Sequence, residues 1–223
     1  YNFTKAEKFV SDNKNKTINF DKVEVKIKTS IPKPLYNLTD IQQAASALFG
    51  LSPKQTLNII QRLYESHKVL TYPRTDSRYL TTDMKNTLAD RLRAIGGDYK
   101  EITAKLLREK DFNTKRIINN SKVSDHHAII PTEQKPNYMS LSDTELKIYN
   151  LVVKRFLENL LPDYKYEETS YSFKLDNKVF TAKSTKVIQL GFKELSRSEI
   201  EDKKISFSTK EFSFDSLQYN KKQ

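Results

Sequence analysis

Across 223 residues, 39 Lys and Arg outnumber 28 Asp and Glu, leaving a formal net charge of +11. That excess favours an anionic partner, nucleic acid ahead of an acidic membrane surface. The absence of cysteine rules out disulfides and thiolate zinc sites and leaves a mild lean toward the cytoplasm. No apolar run is long enough to span a bilayer. With 37% hydrophobic residues, 11% aromatics and a mean hydropathy of −0.69, the chain reads as folded but divided, with much surface per core residue. It starts at Tyr1 with neither an initiator Met nor a signal-peptide stretch, which suggests a piece of a longer protein.

In chain order, Phe20 to Lys28 alternates, with Val23, Val25 and Ile27 on one face and charged residues on the other, the pattern of a half-buried β-strand. Pro32 and Pro34 mark a linker. Thr39 with Gln42 reads as a capping box opening a helix. Its apolar stripe is Ile41, Ala44, Ala45, Leu48 and Phe49, and Gly50 closes it. Ser52, Pro53 and Gln55 open a second helix that buries Leu57, Ile60, Leu63 and Tyr64. A third helix is expected over Asp83–Ile95, before Gly96-Gly97, and a weaker fourth through Ile102, Leu106 and Leu107. Ser142 and Glu145 cap a long helix carrying Leu146, Tyr149, Val153, Phe156, Leu157 and Leu160, which Pro162 ends. From Tyr166 the period becomes two. Tyr171, Phe173 and Leu175 share a face, Asp176-Asn177 turns the chain, Val179 starts a return strand, and Phe212 and Phe214 suggest another. The economical arrangement is a helical domain inserted into a β-domain, with linkers near residues 34 and 165.

The run Leu70-Thr-Tyr-Pro-Arg-Thr-Asp-Ser-Arg-Tyr-Leu80 carries the most chemistry. Pro73 biases its predecessor toward extended backbone, and in an extended segment Tyr72, Arg74 and Asp76 point the same way. A phenol can serve as a covalent nucleophile, and a guanidinium grips phosphate oxygens bidentately. With an ordinary pKa of about 10, the phenol needs help at neutral pH. Arg74 can supply it while holding the oxygens on which charge builds, and Asp76 can fix the guanidinium. The plain alternative is a surface turn with an Arg–Asp pair.

A second run, Ser124-Asp-His-His-Ala-Ile-Ile-Pro-Thr132, offers His126 and His127. If this loop is extended they point oppositely, so one of them faces the chemistry. Without HExxH spacing or cysteine, these histidines do not suggest a metal site. A P-loop and an Asp-x-Asp magnesium cage are also missing from the sequence. Transfer of a phosphodiester through a tyrosyl intermediate would need no ATP, because the phosphotyrosine keeps the bond energy for resealing.

Taken with Pro34-Leu-Tyr-Asn-Leu-Thr-Asp-Ile-Gln-Gln-Ala-Ala45, Phe49-Gly50 and Gln61-Arg-Leu-Tyr-Glu65, these two runs resemble the type IA DNA topoisomerases. Proline after the tyrosine points to the topoisomerase III branch. The likeness is strong over residues 34–162 and looser over the β segments. It implies an α+β, multi-domain fold in which a mainly helical domain is inserted into a β-rich arch or gate domain. Residues 1–33 would be the first part of the gate, 34–164 the helical domain carrying the tyrosine, and 165–223 the second part of the gate. By the same likeness Tyr72 is the nucleophile that joins the 5′ phosphate of a cut strand. Arg74 positions Tyr72 and the scissile phosphate, His126 assists catalysis, and Asp76 supports them. Lys68, Ser77, Arg78 and His127 are candidate DNA contacts, with a solvated surface role as the plain alternative.

The family's magnesium ion is held by a Toprim domain whose motifs do not occur here. The expectation is therefore a fragment that binds no metal and does not cleave DNA by itself. Its partners would be DNA, single-stranded at the cut, and the remaining domains of the same enzyme, with no membrane, in a cytoplasmic, nucleoid-associated setting. Two other readings compete. A tyrosine recombinase lacks support because Ile129 stands where its His-x-x-Arg pattern needs arginine, and because Tyr72 precedes His126. A helix-turn-helix DNA-binding module over residues 39–66 would carry few basic residues beyond Lys54 and Arg62.

Overall fold

The computed structural model describes residues 3–13, 16–109, 112–175, 177–199 and 211–213. The chain divides into two units, one formed by Tyr1–Thr29, Lys165–Gln189 and Glu199–Gln223, the other by Ser30–Tyr164 with Leu190–Ser198. Helix α1 (Phe3–Asn13) and strand β1 (Thr17–Ser30) come first. They are followed by α2 (Leu38–Phe49), α3 (Pro53–Glu65), α4 (Leu88–Ala94), α5 (Lys100–Glu109) and α6 (Asp143–Leu160). Strands β2 (Tyr164–Leu175), β3 (Lys178–Gln189) and β4 (Glu211–Ser213) close the order. This is an α+β architecture.

In the helical unit, local chemistry sets the helix ends. Asn37 caps α2 by accepting the Asp40 amide at 2.8 Å. The expected Thr39/Gln42 box does not form, because Thr39 is already inside the helix while Asn37 keeps the extended backbone a cap needs. Gly50 ends α2 at φ 68, a left-handed conformation that favours glycine. Ile41 and Ala45 of its stripe are fully buried, but Leu48 is 63% exposed. Ser52 and Gln55 close a reciprocal capping box on α3, and Ser142 with Glu145 does the same on α6.

The expected helix over Asp83–Ile95 is a 3-10 stretch, Thr82–Thr87, leading into α4. The Thr87 hydroxyl donates to the Met84 carbonyl three residues back, a spacing that suits the tighter turn. Around α6 the core closes over Ile60, Leu63, Leu70, Leu80, Leu92 and Phe156, each fully buried. Ile148 and Val152 belong to the buried face of α6 as well.

In the other unit the sheet order is β3-β2-β1-β4. β2 and β3 form an antiparallel hairpin in which Phe173 faces Phe180 and Tyr171 faces Ala182, with a register shift at Lys165/Tyr166. β4 pairs antiparallel to the start of β1, Thr17 opposite Ser213. Phe214 and Asp176, read as part of a strand and of a turn, lie outside the described residues. The buried cluster is small. Phe173 and Leu175 carry Phe9, Tyr171, Phe180 and Ala182 against them, with the Phe20 ring edge-on to Phe173 at 5.8 Å. The sequence implied a half-buried β1, yet Val23, Val25 and Ile27 are 46%, 56% and 70% exposed. Alternation sorts residues onto faces but does not supply a partner layer to cover one of them.

Candidate functional site

The segment 70–80 is pinned at both ends. Leu70 bridges to Pro131 and Leu80 to Ile118, and both leucines are fully buried. Between them Pro73, Thr75 and Ser77 are buried, whereas Tyr72 and Arg78 are partly exposed and Arg74 and Asp76 exposed. The inward polar side chains have partners. The Thr75 hydroxyl donates to the His126 carbonyl at 2.8 Å, and the Ser77 hydroxyl donates to Lys122 O at 2.8 Å. Opposite runs 128–132. The Thr71 amide donates to Ile130 O at 3.0 Å, the Thr71 hydroxyl accepts from the Ile130 amide at 3.0 Å, and the Ala128 amide donates to Tyr79 O at 3.0 Å. The start of α2 straps the same segment, through Leu38 N to Thr75 O and Asn37 Nδ2 to Asp76 O. Buried backbone groups thus find partners across three stretches distant in sequence.

Tyr72 lies between two rings. His126 is 4.3 Å away, centroid to centroid, at 39°, and Tyr64 is edge-on at 5.5 Å and 81°. Tyr64, expected to be buried, is 37% exposed, because the last turn of α3 presents it to Tyr72 instead of the core. Lys68, at φ 57 in the left-handed region, turns the chain from α3 into the segment. Its carbonyl accepts the Thr132 hydroxyl at 2.6 Å, and its ammonium donates to Glu65 O. An open hollow of about 630 Å³ beside Tyr72 is lined by Tyr64, Lys68, Thr71, His127 and Thr132 among others.

The two histidines differ in what they meet: His126 packs on the Tyr72 ring, whereas His127 lines the hollow beside it. The chain bends at 124–126, so strand alternation does not apply there. His126 is exposed. The half-buried His127 holds Nδ1 2.7 Å from Ala128 O, and burial pulls its imidazole below the usual 6.5.

The expected Arg74–Asp76 ion pair does not form among the described residues. Both side chains are exposed, and it is Arg78 that finds a carboxylate, Asp40, through Nε and, at 2.9 Å, Nη2. Hydrogen bonding to Asp40 raises the Arg78 guanidinium further above its ordinary value.

Two charged residues have tertiary partners that the sequence did not reveal: Arg91, which it did not single out, and Glu145, which it marked only as a helix cap. Arg91 is only 6% exposed. It donates from Nε to the Thr87 hydroxyl at 2.9 Å and from Nη1 to Pro131 O at 2.7 Å, and pairs with Glu133 at 2.7 Å, so α4 grips the strand that follows the histidines. Burial lowers its guanidinium pKa. The available signal was an arginine on the same helix face as Leu88 and Leu92, where a charge has to be paired. Glu145, 1% exposed, meets Arg62 at 3.0 Å and His67 at 3.5 Å and so ties the end of α3 to α6. Burial alone would raise its carboxyl, but Ser142 and Arg62 outweigh that and hold it below the ordinary value.

Among the described residues no three His, Asp or Glu side chains gather as a metal site, so the groups around Tyr72 do not fit a magnesium cage. No helix among them is long and apolar enough to cross a membrane.

The chain is 51% identical over 178 residues to DNA topoisomerase 3 of Staphylococcus haemolyticus, covering 79% of this chain and 25% of that protein. It is 45% identical over 201 residues to DNA topoisomerase 3 of Bacillus cereus, covering 90% and 27%. The chain thus spans about a quarter of the length of the curated relatives it matches. Full-length topoisomerase I from Thermotoga maritima shares the fold, with a TM-score of 0.66 at 22% identity over 94% of this chain and 34% of that one. A family model described as DNA topoisomerase matches residues 1–222, and the chain belongs to that family.

Proposed function

We propose that this chain is the tyrosine-bearing part of a type IA topoisomerase of the topoisomerase III branch, which cuts one DNA strand, passes another through the gap and reseals the cut. The observation that carries this reading is the Tyr72 ring held between His126 and Tyr64 on a segment whose exposed side also presents Arg74. Tyr72 Oη attacks the phosphorus of a phosphodiester. The P–Oη bond forms as the P–O3′ bond breaks, leaving a 5′-phosphotyrosyl end and a 3′-hydroxyl that takes up the tyrosyl proton. One phosphate ester replaces another, so resealing by the reverse attack needs no ATP.

Arg74, without an ion-pair partner among the described residues, is available to grip the non-bridging oxygens as charge builds on them. His126 fixes the Tyr72 ring from one side. Asp76 lies on the exposed side with Arg74 and supports it at longer range. Lys68 and His127 border the hollow beside Tyr72, where the DNA flanking the cut would lie, while Ser77 holds the Lys122 backbone and acts on DNA only through that loop. A helix-turn-helix reading is less well supported, since α3 turns Ile60 and Leu63 into the core and delivers Tyr64 to Tyr72.

The full-length enzyme is expected to use magnesium. Among the described residues no three His, Asp or Glu side chains gather as a cage for it. The gate role of the sheet unit, single-stranded DNA as substrate and a nucleoid setting belong to the same proposal, as do the domain limits 1–33, 34–164 and 165–223, from which residues 30–33 and 190–198 depart by grouping with the helical unit. The test is to trap covalent adducts on end-labelled single-stranded DNA with the full-length parent enzyme. Tyr72→Phe should abolish them, and adduct at the wild-type level in that variant would remove Tyr72 from the mechanism.

A further inference from the structure

Between α2 and α6, inside the helical unit, two adjoining hollows of about 360 and 320 Å³ share Lys33, Tyr36, Ala44, Ala47 and Arg155 as lining. Small residues make the space: Ala44 and Ala47 lie one turn apart on α2 and face the longer side chains of α6. Four cations line the combined groove, Lys33, Arg78, Lys154 and Arg155, against two carboxylates, Asp40 and Glu158.

The two guanidiniums are held in place. Arg155 lies over the buried Tyr36 ring at 4.2 Å from its centroid and donates to the Tyr36 hydroxyl and to Pro34 O, each at 2.9 Å. Arg78 is gripped by Asp40 from both nitrogens. Lys33 and Lys154 form no ion pair among the described residues and leave the groove with an excess of positive charge. Arg78 also belongs to the segment of the nucleophile. Tyr72, Arg74, Asp76 and Arg78 are its more exposed positions, alternating with buried Pro73, Thr75 and Ser77. The segment bends at Pro73, where the Thr75 amide donates to Pro73 O at 3.1 Å, so Arg78 lies at most roughly 20 Å from Tyr72. Arg74 and Asp76 are the exposed side chains between the phenol and Arg78 at the groove.

We propose that the α2–α6 groove binds backbone phosphates of the DNA strand that leads away from Tyr72, with Lys33 and Lys154 as the contacting cations and Arg78 and Arg155 as its fixed walls. This rests on Tyr72 being the point at which DNA is held. The guanidinium donors are engaged by Asp40, Pro34, Tyr36 and Glu158, so the two lysines, which have no ion pair among the described residues, are the groups left to meet a phosphate.

The test is the salt dependence of binding of the 223-residue chain to a fluorescent oligothymidylate. Replacing both lysines, Lys33→Ala with Lys154→Ala, should weaken binding and make the slope of log K against log salt shallower by about 1.4, at about 0.7 per single-strand phosphate contact. The charge-keeping pair Lys33→Arg with Lys154→Arg should restore the wild-type slope. A control pair elsewhere on the unit, Lys85→Ala with Lys100→Ala, removes the same charge and should change the slope by less than half as much. An unchanged slope in the Lys33/Lys154 variant, an equal change in the control pair, or no measurable binding of the wild-type chain at low salt would each overturn the proposal. Adduct formation by the parent enzyme is read separately through Tyr72→Phe, so failure of the groove and failure of the nucleophile are distinguishable.

Discussion

The helical unit and the sheet unit solve the burial problem differently. Around α6 a continuous apolar core fully buries Leu63, Leu70, Leu80, Leu92 and Phe156, although Leu48 and Met139 of the same unit stay exposed, and the Tyr72 segment is part of that core through its two end leucines. Among the described residues the sheet unit gathers Phe173 and Leu175 as its buried apolar cluster and leaves Val25, Ile27, Val179 and Ile188 more than half exposed. A nucleophile has to be held within fractions of an ångström of its working position, and here it sits on the densely packed unit.

Truncating a buried side chain of one unit and an exposed side chain of the other should separate them. Phe156→Ala should destabilise the helical unit by about 3–5 kcal/mol, measured by urea denaturation followed through the aromatic signals. Val25→Ala on β1 should stay within about 0.5 kcal/mol, and comparable losses from the two changes would break the contrast. Next in size, Arg91→Ala leaves Glu133 without its partner and the Pro131 carbonyl without its donor. The expected loss is about 3 kcal/mol, with faster amide exchange at Ile130 and Thr132, whose amides bond Thr71 and Val69. Ser142→Ala removes one half of the α6 capping box and should cost about 1 kcal/mol.

The smallest effect expected is a pH dependence from His127. Burial lowers its folded-state pKa below the unfolded value near 6.5, so below that pH the unfolded chain binds the extra proton. Its contribution to stability is complete above pH 6.5 and is lost as the pH falls toward the folded pKa. The urea midpoint should therefore drop between pH 7.5 and 5.5 by more in the wild type than in His127→Asn. An identical drop in both would show that His127 does not titrate differently on folding.

What could be read in the sequence was what is decided locally. Ser52-Pro53-x-Gln55 and Ser142-x-x-Glu145 mark helix starts because the cap and its partner lie three residues apart, and Gly50 marks a stop because its left-handed φ disfavours other residues. The alternation of residues 72–77 was legible from Pro73 and the extended period. Contacts chosen by tertiary structure were not. Arg78 takes Asp40 from 38 positions away, where local spacing suggested an Arg74–Asp76 pair. Tyr64 leaves the core for Tyr72, and Arg91 enters the core for Pro131. Helix α1 went unread, since FTKAEKFVSDN offers no capping signal. The exposure of Val23, Val25 and Ile27 could not be anticipated either, because a period of two defines a face without saying what lies on it.

Strand transfer rests on one atom, the Tyr72 hydroxyl oxygen, and a second tyrosine ring lies only 5.5 Å away at Tyr64. The most direct measurement is to trap the covalent adduct of the full-length enzyme, digest it, and identify the peptide that carries the nucleotide by mass spectrometry. The modification is expected on Tyr72, within the Leu70–Arg74 stretch. A nucleotide on Tyr64 or Tyr79, or on any other residue, would contradict it.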